Sequence, residues 1–222
     1  MTDRRADGDK DGDLRDAYHH LASLQDLLLE RLNAPLREIG LRLVPPRKGM
    51  RVLDIGCGTG AQLERYQRAG CQISGIDQSA SMLKRARQRL SAAADLRLGS
   101  AGSLPYPDGQ FDLVLASLVL HELTPDLQDA VLTEMCRVLA ADGRILVTDF
   151  HPGPRSIPKG WLYRAVSLVA ESVAGHRDRS DAFLADGGIP AVAAAHGLTV
   201  ERTKVVSGGN MALYVLTGQP GR

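Results

Sequence analysis

The sequence predicts an α/β protein built on a doubly wound, mostly parallel sheet of seven strands, with a terminal antiparallel hairpin and a helical lid. Three observations lead to this fold class. Short apolar strand patterns alternate with amphipathic helical patterns, a glycine-rich loop follows the first strand pattern, and only SGGN separates the last two strand patterns. Because 222 residues suffice for one core and hardly for two, we expect a single domain over residues 18–222.

The N-terminal part of the chain divides into a charged tail and a helical region. Residues 1–17 mix acidic and basic side chains and lack an apolar run, which predicts a disordered tail rather than a secretory signal. From Tyr18 to Leu43, leucines recur at steps of three and four residues. This spacing predicts one or two amphipathic helices, broken near Pro35.

The middle of the chain carries a regular alternation of strand and helix patterns, typical of a parallel sheet covered on both faces. The predicted strands are Arg51–Ile55, Gln72–Ile76, Asp95–Leu98, Asp112–Ser117 and Arg144–Phe150, and the predicted helices are Gln62–Ala69, Ser79–Leu90 and Asp126–Leu139.

After residue 150 the alternation stops at HPGPRSIPKG. An inserted amphipathic helix is expected at Trp161–Ala174, able to pack on the body or to cover a site, and a basic segment, His176-Arg177-Asp178-Arg179, follows it. A helix around Ile189–His196 then precedes the strands Leu198–Val206 and Met211–Leu216. The short glycine-containing connection between these strands permits only an antiparallel hairpin.

Composition excludes several classes of function. The 27 basic and 26 acidic residues leave a formal charge of +1, so no nucleic-acid partner is expected. The three cysteines stand far apart without metal-ligand spacing, which predicts reduced thiols in a cytoplasmic protein and no metal site. No apolar stretch approaches the roughly 18 residues that span a bilayer, so any membrane contact is expected to be peripheral.

The stretch VLDIGCGTG, residues 52–60, is the strongest functional signal. Glycines at 56, 58 and 60 allow a sharp turn from strand to helix and close approach of a ligand to the backbone. We expect the free N–H groups of the following helix to point into the same space. The series Gly56-x-Gly58-x-x-Ala61 also satisfies a loose dinucleotide fingerprint, so the loop alone leaves a nicotinamide cofactor open.

Two acids refine this prediction. Asp77 ends the next strand, 21 residues after Gly56, where a carboxylate can accept both hydroxyls of an adenine-linked ribose. The alternative is that Asp77 only caps the following helix, although Ser79 is available for that. Asp54 precedes the loop and would repel a pyrophosphate, which favours a cationic or zwitterionic adenosyl ligand.

With these motifs the chain resembles the class I S-adenosylmethionine-dependent methyltransferases, within them the ubiquinone/menaquinone methyltransferase group. The resemblance rests on VLDIGCGTG, GIDQSASML, GSAGSLPYPDGQFDLVLASLVLHEL and EMCRVLAADGRILVTDF, and the terminal SGGNMALYVL is similar to bacterial phosphatidylethanolamine N-methyltransferases. It implies a Rossmann-like fold, S-adenosyl-L-methionine as cofactor, and a small or lipid-like acceptor, with a phospholipid amine or a quinone-type head group favoured.

The resemblance also implies cofactor contacts. The loop would surround the methionine part, Asp77 the ribose and the remaining positions the adenine, which gives Asp54, Gly56, Cys57, Gly58, Thr59, Gly60, Asp77, Gln78, Met82, Ser100, Ala101 and Ser117. Two departures from the family pattern occur. Ser100 stands where many relatives have an acid, and Ala141-Asp142-Gly143 replaces the usual Pro-Gly-Gly before the fifth strand.

Candidates for the acceptor side are weaker. His121, just past strand four, could deprotonate an acceptor or simply pack beside the next helix, and Asp149 at the end of strand five is equally open. Tyr18 begins the N-terminal helix, which often covers the cofactor in relatives; a solvated helix start is the alternative. Residues 18–46 and 151–180 are thus expected to form lids, suited to a lipid-like acceptor at an anionic membrane surface.

Two other functions remain open on the sequence. One is an NAD(P)-dependent oxidoreductase, which shares the glycine loop but for which we find no hydride-transfer constellation. The other is a methyltransferase-like binding protein without turnover, which the departures from the family pattern at Ser100 and Ala141 slightly favour.

Overall fold

The structure is a computed structural model that describes residues 33–154 and 177–218. The predicted tail, Tyr18 and the predicted helix Trp161–Ala174 lie outside the described residues. The chain divides into two compact units, residues 1–38 and 39–222. Within the first unit the description covers only the opening of one helix, and the sheet and the site belong wholly to the second.

The described elements follow the predicted order. They are α1 (Ala34–Leu43), β1 (Arg51–Ile55), α2 (Ala61–Arg68), β2 (Gln72–Asp77), α3 (Ala80–Arg89), β3 (Asp95–Leu98), β4 (Phe111–Ser117), α4 (Pro125–Val138), β5 (Leu139–Phe150), α5 (Arg177–Ala185), α6 (Gly188–Ala195), β6 (Leu198–Val206) and β7 (Met211–Gly218). Short 3-10 helices at Leu120–Glu122 and Ser207–Gly209 complete the set.

The seven strands form one sheet in the order β3-β2-β1-β4-β5-β7-β6. Strands β1 to β5 pair in parallel, and β7 pairs antiparallel with both β5 and β6. The tight turn at Ser207–Gly209 forces the last pairing, and all three of its residues have positive φ. The predicted fold class is therefore confirmed, including the terminal hairpin.

A large apolar cluster joins one face of the sheet to α4, α5 and α6. The strands contribute Val114 and Val147, and the helices contribute residues such as Met135, Phe183 and Ile189. Helix α2 packs on β2 where that strand has a glycine, since a Cβ built on Gly75 would lie 3.0 Å from Leu63 of α2 and 3.0 Å from Leu96 of the neighbouring strand β3. The apolar run of each central strand is explained by helices packing on the sheet.

Pro35 lies in the first turn of α1, where its missing N–H costs no hydrogen bond. A helix before the predicted break near Pro35 would lie outside the described residues. Two local features differ from the predictions. The segment Ala141-Asp142-Gly143 is not a loop, because β5 begins at Leu139, directly after α4, and Leu139 pairs with Phe111 across a register shift. The basic segment at 177–179 is the first turn of α5, which Phe183 anchors in the core.

Among the described residues, no helix is long and apolar enough to cross a membrane. The longest of them, α4, has 14 residues and is amphipathic, with one face on the sheet.

Candidate active site

A cleft opens at the carboxyl ends of the parallel strands. It lies beside β1, whose two neighbours in the sheet are β2 on one side and β4 on the other. Open α/β sheets bind ligands at such a switch point. The cleft has a volume of about 450 Å³ and is lined by Gly56, Asp77, Gln78, Ala101, Ser117, Leu118, Val119, Glu122, Leu123, Thr124, Leu127 and Arg179.

The three loop glycines serve different purposes. Gly56 (φ +65) and Gly60 (φ +73) are packing glycines, because a Cβ there would lie 2.7 Å from Val119 Cγ2 and 2.9 Å from Leu90 Cδ1 respectively. Gly58 (φ +52) has nothing within 4 Å of its Cβ position. It is thus the loop glycine with open space beside it, as close approach of a ligand requires.

Four N–H groups of the loop are bonded within the protein. Gly56 and Cys57 both donate to the Ile76 carbonyl at 2.9 and 3.1 Å, and Gly60 donates to the Cys57 carbonyl at 2.9 Å. Gly58 N–H donates to Asp77 Oδ2 at 2.8 Å. A pyrophosphate would need such donors for itself, so the loop fits an adenosyl ligand without phosphates better than a dinucleotide.

Asp77 lines the cleft and also bonds the residue that caps α3. Its second oxygen, Oδ1, accepts the Ser79 N–H at 2.8 Å, and Ser79 itself caps α3 by accepting the Met82 N–H. A carboxylate offers about four acceptor positions. Two are used here, which leaves capacity for a diol from the cleft.

Other predicted cofactor residues lie behind this surface. Asp54 is buried at the end of β1, and the Cys57 side chain sits where a Cβ on Gly75 would be 2.8 Å from its Sγ. Burial, with the Asp54 and Asp77 carboxylates, raises the pKa of the Cys57 thiol and keeps it protonated. Thr59 accepts a 2.8 Å hydrogen bond from Arg89 through its hydroxyl.

Of the predicted adenine contacts, Gln78 and Ala101 line the cleft, as does Ser117 at the end of β4. Met82 and Ser100 are not among the lining residues, and the Ser100 hydroxyl accepts the Gly102 N–H at 3.3 Å. The structure thus brings together five of the predicted residues, Gly56, Asp77, Gln78, Ala101 and Ser117.

The cleft also has an apolar wall that the sequence analysis missed. Leu118, Val119, Leu123 and Leu127 line it. Leu118 has φ +60, a left-handed conformation that costs a branched side chain about 1–2 kcal/mol. Such strain is typical of functional sites and leaves no signature in the sequence.

His121 and Asp149 form a buried pair next to this wall. His121 Nδ1 lies 2.7 Å from Asp149 Oδ1, and the side chains are 4% and 0% exposed. Asp149 also accepts the N–H of Phe150 at 2.8 Å, and the Phe150 ring packs edge-on against the imidazole. The two candidates, one in the 3-10 helix after β4 and one on β5, are therefore joined in one pair, although neither lines the cleft.

Two charged residues bring polarity to the apolar wall. The Glu122 side chain is 44% exposed, and its Oε1 lies 3.8 Å from His121 Nε2. Arg179 reaches across from α5 and donates through Nη1 to the Glu122 carbonyl at 3.1 Å. The contact between Arg179 and Glu122 could not be predicted from local motifs, because the two residues are 57 positions apart in the sequence.

A second histidine closes the same end of the sheet. His151 Nδ1 lies 2.8 Å from the Tyr214 hydroxyl. Burial and, to a lesser degree, the Asp149 carboxylate raise the pKa of Tyr214 to about 12. Tyr214 therefore stays neutral and acts as a hydrogen-bonding partner rather than a base.

In the described part of the chain, no cluster of three or more His, Cys, Asp or Glu side chains could hold a metal ion.

Comparison with known proteins gives the family. The methyltransferase-domain family matches residues 53–147. The chain is 32% identical over 183 residues to the ubiquinone/menaquinone biosynthesis C-methyltransferase of Laribacter hongkongensis, covering 77% of this chain and 74% of that protein. It is 30% identical to the demethylmenaquinone methyltransferase of Desulfitobacterium hafniense, covering 92% and 89%. With some other relatives the chain spans only about half of their length, 51% and 52%.

Solved structures share the fold. The 1,6-didemethyltoxoflavin-N1-methyltransferase of Burkholderia thailandensis, solved with S-adenosylhomocysteine, superposes with a TM-score of 0.63 at 15% identity and covers 99% of this chain and 93% of its own. The predicted family, activity and cofactor are confirmed. The chain belongs to the class I S-adenosylmethionine-dependent methyltransferases of the ubiquinone/menaquinone type, and S-adenosylmethionine is its methyl donor.

Proposed function

We propose that this enzyme methylates a quinol-type acceptor held against the apolar wall of the cleft. The observation that carries the proposal is the run of apolar side chains at Leu118, Val119, Leu123 and Leu127, in the same cleft as Asp77. A flat, largely apolar ring gains free energy by leaving water for such a wall. Relatives named as ubiquinone/menaquinone and demethylmenaquinone methyltransferases support the same acceptor class.

The cofactor side is assigned as follows. Asp77 accepts the ribose hydroxyls, and Gln78 and Ala101 flank the adenine. The loop approaches the methionine part of the cofactor at Gly58, where open space surrounds the Cβ position. The buried Asp54 carboxylate favours a cationic ligand. The loop and its surroundings complete the assignment with Gly56, Cys57, Thr59, Gly60, Met82, Ser100 and Ser117.

The reaction needs alignment above all. S-adenosylmethionine supplies an electrophilic methyl group when it is bound. The chain's part is to hold the acceptor atom in line with that group and to exclude water, which accounts for much of the rate enhancement in transfers of this kind. A quinol also loses a proton, so a base is required on this side of the cleft, where the predicted candidates His121 and Asp149 form a pair next to the wall. Tyr18, the third predicted candidate, lies outside the described residues.

A second acceptor class is favoured by the two charges on the wall. A phosphatidylethanolamine head group carries an ammonium and a phosphate, which Glu122 and Arg179 would match in sign. The predicted lids at 18–46 and 151–180 would then meet the surface of an anionic membrane. Co-sedimentation with anionic and neutral vesicles tests this arm, and an absence of binding to both argues for quinol delivery without membrane contact.

The test of the proposal is a transfer assay with labelled S-adenosylmethionine and two acceptors. These are a reduced short-chain 1,4-naphthoquinone and vesicles containing phosphatidylethanolamine. We expect label in the naphthoquinol product. Label only in the lipid would replace the quinol with the second class, and label in neither would refute both acceptors.

A further inference from the structure

We propose that Glu122 is the residue that takes the proton from the acceptor, and that the buried His121–Asp149 pair acts behind it as a positioning and proton-relaying unit. The proposal rests on the methyl transfer proposed above. It makes Glu122 the catalytic residue of the acceptor wall and His121 a residue that acts through it.

Access separates the two candidates for the base. The imidazole of His121 is 4% exposed and does not line the cleft, whereas the Glu122 side chain is 44% exposed and does. A general base must come within hydrogen-bond reach of the proton that it removes, or reach it through one water molecule. Glu122 satisfies this condition for a molecule in the cleft, and His121 is shielded by Phe150 on one side.

The buried carboxylate fixes the orientation of the imidazole. Asp149 accepts at Oδ1 from Phe150 N–H and lies 2.7 Å from His121 Nδ1, so Nδ1 carries a hydrogen. Nε2 then carries the lone pair and faces Glu122, with Oε1 at 3.8 Å. From this position Nε2 can take up a proton that Glu122 has received from the acceptor.

The other charged and polar groups around His121 and Glu122 are compatible with proton removal by Glu122. Arg179 of α5 donates to the Glu122 carbonyl and lines the cleft, so its positive charge lies beside the place where an acceptor anion forms. From β5 and β7 come Asp149 and the neutral Tyr214, with His151 bonded to the latter. Glu122 is thus the acid of this cluster that is open to the cleft.

Atoms and charge are conserved in the proton transfer. The acceptor O–H bond breaks, its electron pair stays on the acceptor, and the proton goes to a Glu122 carboxylate oxygen, which becomes neutral. The acceptor gains the negative charge that makes it nucleophilic. The proton then passes to His121 Nε2 or to solvent, and the carboxylate is restored. One proton is released for each methyl group transferred.

The first test does not depend on the acceptor. His121 is followed by imidazole NMR through a pH titration with S-adenosylhomocysteine present, its signal identified among the six histidines by loss in His121→Asn. Glu122→Gln should lower the His121 midpoint by on the order of one pH unit, because an opposite charge nearby is lost. Asp126→Asn removes an exposed acid outside the cleft lining and should leave the midpoint unchanged. An equal midpoint in wild type and Glu122→Gln would overturn the proposal.

The second test uses the reduced naphthoquinone. Glu122→Gln should lower kcat on the un-ionised quinol by about 100-fold, with S-adenosylhomocysteine affinity retained. A halogenated quinol that is already ionised at the assay pH should restore the rate, since no base is needed. Glu122→Asp should fall between. Full activity of Glu122→Gln on the un-ionised quinol would overturn the proposal.

The two tests also separate this proposal from the proposed acceptor. If the wild type does not methylate the naphthoquinol, the proposed acceptor class is refuted. The NMR titration, which needs no acceptor, then still tests whether Glu122 and His121 interact.

Discussion

The side of the cleft that carries Asp77 is held together by contacts between neighbours in sequence, whereas the side that carries Glu122 depends on partners far along the chain. Asp77 binds the loop 19 residues before it and Ser79 two residues after it. His121 binds Asp149 over 28 residues, and Arg179 reaches Glu122 over 57. The proposed cofactor side is therefore a local motif, and the proposed acceptor side is a product of tertiary packing.

This contrast predicts its largest effect at Asp149. Asp149→Ala should lower the free energy of unfolding by about 3 kcal/mol, because a fully buried carboxylate leaves His121 and the Phe150 N–H without their acceptor. Urea unfolding measures this value. Asp149→Asn, which keeps an oxygen acceptor, should lose less. A loss below about 1 kcal/mol for the alanine variant would mean that the stability of the fold does not depend on the His121–Asp149 pair.

The next effect concerns the other wall. Asp77→Ala should weaken S-adenosylhomocysteine binding by on the order of 2–3 kcal/mol, because a charged acceptor of two ribose hydroxyls is lost. Calorimetry gives the dissociation constant. Asp95→Ala, which removes a carboxylate paired with Arg97 on β3, is the matched control and should bind normally. An unchanged dissociation constant for Asp77→Ala would remove this residue from the cofactor site.

The smallest effect isolates the strain at Leu118. Leu118→Asn and Leu123→Asn remove the same apolar side chain from the same wall, but Leu118 has φ +60 and Leu123 has φ −84. Asn tolerates positive φ, so Leu118→Asn should be the more stable variant by about 1 kcal/mol. Thermal and urea unfolding compare the two. Equal stability would show that Leu118 is not under strain.

The contrast also explains how much the sequence could predict. The glycine loop, Asp77 and the succession of strands and helices along the chain follow from patterns within about 20 residues. A parallel sheet of this kind carries its ligand crevice at the carboxyl ends of the strands. His121 and Asp149 were recognisable as separate candidates, yet only the parallel pairing of β4 with β5 brings them to one site. The positive φ of Leu118 and the reach of Arg179 depend on packing that no local pattern encodes.

Contacts between elements also decide local details that the sequence did not predict. In the folded chain, the Ile76 carbonyl and the Asp77 carboxylate accept the N–H groups of Gly56, Cys57 and Gly58. The turn expected before β5 is part of the strand, because pairing with Phe111 extends the ladder back to Leu139. In each case a partner from another element changed the local outcome.

The close approach of Gly56 to Val119 limits how this enzyme can be re-engineered. With Val119 Cγ2 only 2.7 Å from the place of a Cβ, any bulkier side chain at 119 pushes on the turn that follows β1. A change of acceptor preference made at Val119 would therefore also disturb cofactor affinity. Leu123 and Leu127, which line the same wall, are the better positions for altering the range of acceptors while the cofactor side is kept intact.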